Sequence, residues 1–132
     1  MRKVYPHTIY RHFKGKYYAT VAESAPCTPI NLEALKNSCS GYHYYLEPTI
    51  ITGDENKKIK VLLLATDNHS FNLYHSSIDC NDNLVIYKSL YDDTTTYART
   101  KSDFLSPVDR EKYPNVEQDN RFSPYVNIGF NA

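Results

Sequence analysis

The chain of 132 residues has no tryptophan, one methionine, four glycines and three cysteines. Each scarcity removes a class of protein. The longest apolar run, Val61-Leu62-Leu63-Leu64-Ala65, is far too short to cross a bilayer. The start, Met1-Arg2-Lys3-Val4-Tyr5-Pro6, lacks the apolar stretch of a secretory leader. Cys27, Cys39 and Cys80 are odd in number and have no C-x-x-C spacing. They read as reduced thiols in a cytoplasmic protein rather than a disulfide framework or a zinc finger. So few glycines and a single methionine argue against a glycine-rich linker or a pliable helical bundle. A phosphate-binding glycine loop, a nucleophile elbow and an H-E-x-x-H pair are all missing, so no cofactor or metal is expected.

Charge of one sign is missing too. Fifteen basic and fifteen acidic residues cancel, which argues against long nucleic acid as the partner. The cancellation is uneven along the chain. Arg2, Lys3, Arg11, Lys14 and Lys16 precede the first acid, Glu23. A neutral molecule can therefore carry a local anion-attracting face.

What the chain does have is tyrosine, thirteen in all. Tyrosine suits half-buried sheet positions, where the ring packs and the hydroxyl reaches water or a ligand. Thr8–Phe13 and Lys16–Ala22 read as antiparallel strands joined at Lys14-Gly15. Pro26 breaks the pattern. Thr28 caps a helix with Pro29 at its first position, running to about Ser38. Tyr42–Thr52 and Lys58–Thr66 are strands around the turn Gly53-Asp54-Glu55-Asn56-Lys57, and the second is apolar enough to be covered on both faces. Asn72–Ser77 and Leu84–Tyr91 read as another hairpin. Asp92-Asp93 turns into the strand Thr94–Thr100, Ser106-Pro107 opens a single helical turn, and Val116–Phe122 is a last short strand. Tyr125, Ile128 and Phe130 dock the tail. Short strands at regular spacing predict one mainly β domain over 1–132, a small barrel or roll.

Two blocks, in order, carry a family resemblance. Tyr10-Arg11-His12-Phe13-Lys14-Gly15 with Tyr17 forms the first. The second holds His75-Ser76, Leu84-Val85-Ile86-Tyr87, Leu90-Tyr91 with Asp93, Tyr97-Ala98-Arg99, Phe104 and Arg121-Phe122. Together they resemble a short bacterial and viral domain of unknown function, number 1653. The resemblance implies an SH3-like β-barrel core from 5–22 and 72–122, with an α+β insertion at 23–71. It supplies no activity. Tyr97 stands where the family has Trp, and Thr100 where it has Pro.

Catalytic signals are thin. His75-Ser76-Ser77 is one triplet of a two-histidine phosphodiesterase, and no other histidine supplies its partner. Cys27, Cys39, His43 and His75 or Cys80 lack ligand spacing for zinc. Asn68-His69-Ser70 fits a glycosylation sequon, without meaning in a protein that is not secreted. Anion or nucleotide recognition needs cations for charge and aromatic faces for a base. Arg11, Lys14 and Arg99 offer the first; Tyr17, Tyr87, Tyr91 and Tyr97 offer the second, with His12 and His75 beside them. The leading expectation is a non-catalytic binding module for a small anionic, nucleotide-derived ligand, one form of which is a phage protein that sequesters a host immune nucleotide. The alternatives are a protein-interaction module using a groove or strand edge, and a cyclic-nucleotide hydrolase resting on His12 and His75. Exposed strand edges further predict a homo-oligomer.

Overall fold

A computed structural model describes residues 3–39, 41–52, 55–65, 70–91 and 95–127, and among these residues the chain forms ten strands and two helices. In order they are β1 (Thr8–His12), β2 (Tyr17–Cys27), α1 (Pro29–Ser38), β3 (Tyr42–Leu46), β4 (Thr49–Thr52) and β5 (Glu55–Lys58). Then come β6 (Val61–Ala65), β7 (Phe71–Ser76), β8 (Leu84–Ser89), β9 (Thr96–Thr100), α2 (Lys101–Phe104) and β10 (Phe122–Asn127). The class is mainly β, as the alternating sequence predicts. The ladder runs β3-β6-β7-β2-β8-β9-β4-β5, with β1 bridging β2 and β10.

The sheet does not close into the expected barrel. Segment 23–71 extends both ends of the ladder: β3 and β6 continue from β7, while β4 and β5 continue from β9.

Strand β8 is the spine, because both of its faces are buried. Leu84 and Ile86 point into one core with Ile50, Ile59, Val61, Leu73 and Ala98. Val85 and Tyr87 point into another with Val4, Tyr10, Phe104 and Phe122. Alternation with a period of two sends consecutive apolar residues to opposite sides, so an unbroken apolar run marks a strand sandwiched between layers. The same rule holds for β6, where Val61, Leu62 and Leu64 are all buried. The second core is aromatic. Phe104 and Phe122 stack with centroids 4.2 Å apart, and Tyr10 meets Phe104 edge-on at 5.1 Å. Such pairs add about 1 kcal/mol each beyond the area they bury.

Several sequence-derived elements shift. Strand β2 does not stop before Pro26. Its pairing with β8 ends at Ser24, and from Ala25 onward only β7 lies beside it, so the missing N–H of Pro26 leaves no bond unmade. The expected hairpin of residues 72–77 with 84–91 does not form. Strands β7 and β8 both pair with β2 instead, β7 in parallel and β8 antiparallel. Tyr42–Thr52 splits at Glu47-Pro48 into β3 and β4. The last strand, β10, begins where the expected one ended and pairs with β1, while α2 precedes the helical turn expected at Ser106-Pro107. Helix α1 is as expected, with the Thr28 hydroxyl accepting from the Asn31 N–H at 3.2 Å. Gly53-Asp54, Thr66, Asn68-His69, Asp92-Asp93, Thr94, Ile128 and Phe130 lie outside the described residues. Among the described residues no helix is long and apolar enough to cross a membrane.

Candidate functional site

One cleft of about 380 Å³ gathers charged side chains from elements far apart in sequence. The β1–β2 turn brings His12, Phe13 and Lys14. Strand β9 brings Arg99, α2 brings Asp103, and the segment before β10 brings Asp109, Lys112, Tyr113 and Arg121. Ile51 of β4 forms part of the wall.

The turn is fixed by local chemistry. Gly15 has φ +106°, a value that L side chains rarely adopt, and its N–H donates to the His12 carbonyl at 2.8 Å. The Lys14 N–H donates to His12 Nδ1 at 3.2 Å, so that ring nitrogen is the acceptor of the neutral imidazole and Nε2 carries the proton. The Phe13 N–H donates to the Arg121 carbonyl at 2.9 Å and ties the turn to the opposite wall.

That wall is a loop held by its own hydrogen bonds. Arg110 donates to the carbonyls of Val116 and Gln118 and pairs with Asp119. The Val108 N–H reaches the Asp119 carbonyl, and the Arg121 N–H reaches that of Ser106. Gln118 accepts from Arg11 Nη1 at 2.9 Å and donates to the Arg11 carbonyl at 2.9 Å. Arg11 thus clamps the back of the loop, while its neighbour His12 faces the cleft. Strand alternation requires this division.

The cleft lining is rich in charge. Four cations, Lys14, Arg99, Lys112 and Arg121, stand against two carboxylates, Asp103 and Asp109. Arg99 donates to the Tyr87 hydroxyl at 3.0 Å and to Asp103 Oδ2 at 2.6 Å, with its guanidinium carbon 5.6 Å from the Phe122 ring. Arg121 donates to Ser106 Oγ at 3.0 Å and lies 3.7 Å from Asp103 Oδ1. Burial, followed by the nearby charges of Arg99, Arg121 and Lys14, pushes the His12 imidazole down to about 4, with Asp103 opposing. The Tyr87 phenol is pushed up to about 12, chiefly by burial and against the pull of Arg99. For Arg99, burial lowers the pKa, but the contacts with Tyr87 and Asp103 outweigh it and the net direction is upward. Phe13 and Tyr113 meet edge-on at 4.9 Å, and Lys14 Nζ sits 5.8 and 5.6 Å from their two rings.

Of the residues the sequence singles out, His12, Lys14 and Arg99 come together here. Tyr87 lies beneath, 2% exposed, where it supports Arg99 and offers no open ring face. Tyr97 stacks on Tyr87 at 5.7 Å within the same aromatic layer. Tyr17 and Tyr91 are elsewhere: Tyr17 packs on Tyr125 at 5.1 Å, and its N–H donates to the Tyr91 hydroxyl. His75 is 1% exposed and forms a separate buried node. Its Nδ1 lies 2.7 Å from Ser24 Oγ, and its Nε2 lies 3.1 and 3.0 Å from the carbonyls of Cys80 and Asp82. The two carbonyls require a proton on Nε2, so Ser24 donates to Nδ1. Burial lowers the His75 pKa, opposed by those carbonyls. His12 and His75 therefore share no site. Cys27, Cys39 and Cys80 are free thiols.

Sequence reasoning misses Asp103, Asp109, Lys112 and Tyr113. The run Asp109-Arg110-Glu111-Lys112-Tyr113 falls where the sequence reads only a helical turn opened at Ser106-Pro107 and ended before Pro114. Arg121 is visible only as part of the second resembling block.

Residues 72–124, less than half of the chain, match the family described as protein of unknown function (DUF1653). The segment contains Arg99, Asp103, Lys112 and Arg121 of the cleft. The hairpin that supplies His12 and Lys14 lies outside the match. No curated protein and no solved structure matches the chain.

Proposed function

We propose that this chain is a binding module for a small anionic ligand of nucleotide-like chemistry, held in the cleft between the β1–β2 turn and the loop before β10. One observation carries the reading: four cations from separate parts of the chain face a single cleft against two carboxylates. A phosphate group suits Arg99, Arg121, Lys112 and Lys14, because guanidinium and ammonium groups bind it through charge-assisted hydrogen bonds. The Phe13–Tyr113 pair supplies an aromatic wall for a base or sugar beside it. A cleft of about 380 Å³ is at the small end of ligand pockets, matching a mononucleotide better than an oligomer. His12 stays neutral near pH 7, so it serves as an Nε2–H donor to an anion rather than as a charged acid. The reading involves no turnover, and three reduced thiols fit a cytoplasmic setting.

Thermal-shift titration with mono-, di- and cyclic nucleotides, and with inorganic phosphate, tests it. A true ligand at a hundredfold excess over its dissociation constant stabilises the fold by ~2.7 kcal/mol. Arg121→Ala and Lys112→Ala each weaken that ligand about tenfold, or ~1.4 kcal/mol. Absence of stabilisation by every one of these compounds would falsify the proposal.

A further inference from the structure

Among the described residues the sheet has three terminal strands, and they are not alike. Strand β5, at one end, is Glu55-Asn56-Lys57-Lys58, exposed throughout and rich in charge. Strand β10 contains Pro124, and its ladder with β1 slips between Ile9 and Tyr10. Charges, proline and bulges are the devices that keep an edge from pairing with another strand. Strand β3 has none of them. It reads Tyr42-His43-Tyr44-Tyr45-Leu46, without a lysine, arginine, carboxylate or proline, and its first four residues are exposed. Among the described residues its ladder is with β6 alone.

We infer that β3 is a self-association edge that pairs antiparallel with β3 of a second copy of this chain, about a two-fold axis at Tyr44. The strand is complementary to itself in that register. Tyr44 meets its own symmetry mate, Tyr42 lies opposite Leu46, and His43 lies opposite Tyr45. Each opposed pair is aromatic–aromatic or aromatic–aliphatic, the kind that stabilises cross-strand neighbours, and no like charges are set face to face. The pairs also fall on consistent faces. Leu46 packs on the first core, so Tyr44 and Tyr42 share its side by alternation, while Tyr45 faces the side of Leu32 and Lys60. A two-fold axis normal to the sheet preserves those sides and yields one continuous sheet across both copies, the closed arrangement typical of homodimers.

The area involved sets the strength. Tyr42, Tyr44 and Tyr45 are 73%, 54% and 45% exposed. At ~200 Å² per tyrosine they offer roughly 350 Å² per copy, about 700 Å² in all, which is less than a stable specific interface buries and fits a weak, transient one. The dimer is therefore reversible and concentration-dependent.

Sedimentation of the full chain from about 1 μM to about 1 mM reads this directly. The expected mass rises from 15.3 kDa toward twice that value. Tyr44→Lys and Tyr44→Glu each weaken self-association by at least tenfold, and an equimolar mixture of the two re-forms a 1:1 pair, because position 44 opposes itself only at the axis. Hydrogen exchange on the unaltered protein is independent of any variant: β3 amides gain protection with concentration and β5 amides do not. A wild-type chain monomeric at 1 mM, a dimer untouched by Tyr44→Lys, or concentration-independent β3 exchange overturns the inference. A monomer whose β3 is protected by an added foreign strand would assign the edge to another protein and equally overturn it.

Discussion

The two well-placed histidines have pKa values lowered for the same leading reason, burial, yet they belong to opposite kinds of environment. Around His75 the neighbours are a hydroxyl and two backbone carbonyls, fixed by the fold. Around His12 they are Arg99, Arg121 and Lys14, side chains that face a cleft and that an anion would neutralise. Perturbed titration alone therefore does not mark a functional residue; what matters is whether a ligand can alter the perturbing groups.

The contrast can be broken most forcefully at His75. His75→Ala leaves Ser24 Oγ and two carbonyls without their partner and opens a cavity beside the pocket that His75 lines. We expect a loss of about 3 kcal/mol in urea unfolding. The folded fraction keeps its affinity for any cleft ligand, measured by calorimetry.

Acid sharpens the contrast next. The unfolded chain titrates histidine near pH 6.5, and folded His12 titrates near 4. Between these values the unfolded state binds more protons, so stability falls as pH drops through that window. Allowing for the partial exposure of His12, its share is about 2 kcal/mol. His75 acts in the same direction. Denaturation at pH 7 and pH 4 should show a smaller difference in His12→Gln than in the wild type.

A cleft anion offsets Arg99, Arg121 and Lys14 and raises the His12 pKa. The complex then holds more protons than the free protein below pH 6, so affinity increases severalfold between pH 6 and pH 4. Ring-proton shifts in NMR titrations should move for His12 and stay in place for His75. The smallest effect is reserved for the tyrosine that the sequence grouped with the site but the fold sets apart. Tyr91→Phe removes one exposed acceptor at 3.3 Å, costs no more than about 0.5 kcal/mol, and leaves anion binding unchanged by calorimetry.

Legibility in the sequence followed locality. The first hairpin, the Thr28-capped helix and the doubly covered β6 could be read because alternation, a cap and an apolar run are short-range signals. The partners of β2 could not, since nothing near Ala25 or Pro26 indicates that β7 will lie alongside. The site divides in the same way. His12, Lys14 and Arg99 announced themselves within aromatic, cationic strands. Lys112 and Tyr113 did not, because their place in the cleft depends on Arg11 clamping Gln118 and on the Phe13 N–H reaching the Arg121 carbonyl. Thirteen tyrosines also misdirect: Tyr87 and Tyr97 serve as flooring under Arg99 more than as open faces.

Strand β2 has one further consequence, for the order of assembly. It is made directly after one neighbour, β1. Its other two companions, beginning at Phe71 and Leu84, are made much later. Until then an eleven-residue segment waits with most of its backbone unclaimed. Distant pairings of this kind slow folding and extend the interval during which a nascent chain depends on protection from its neighbours.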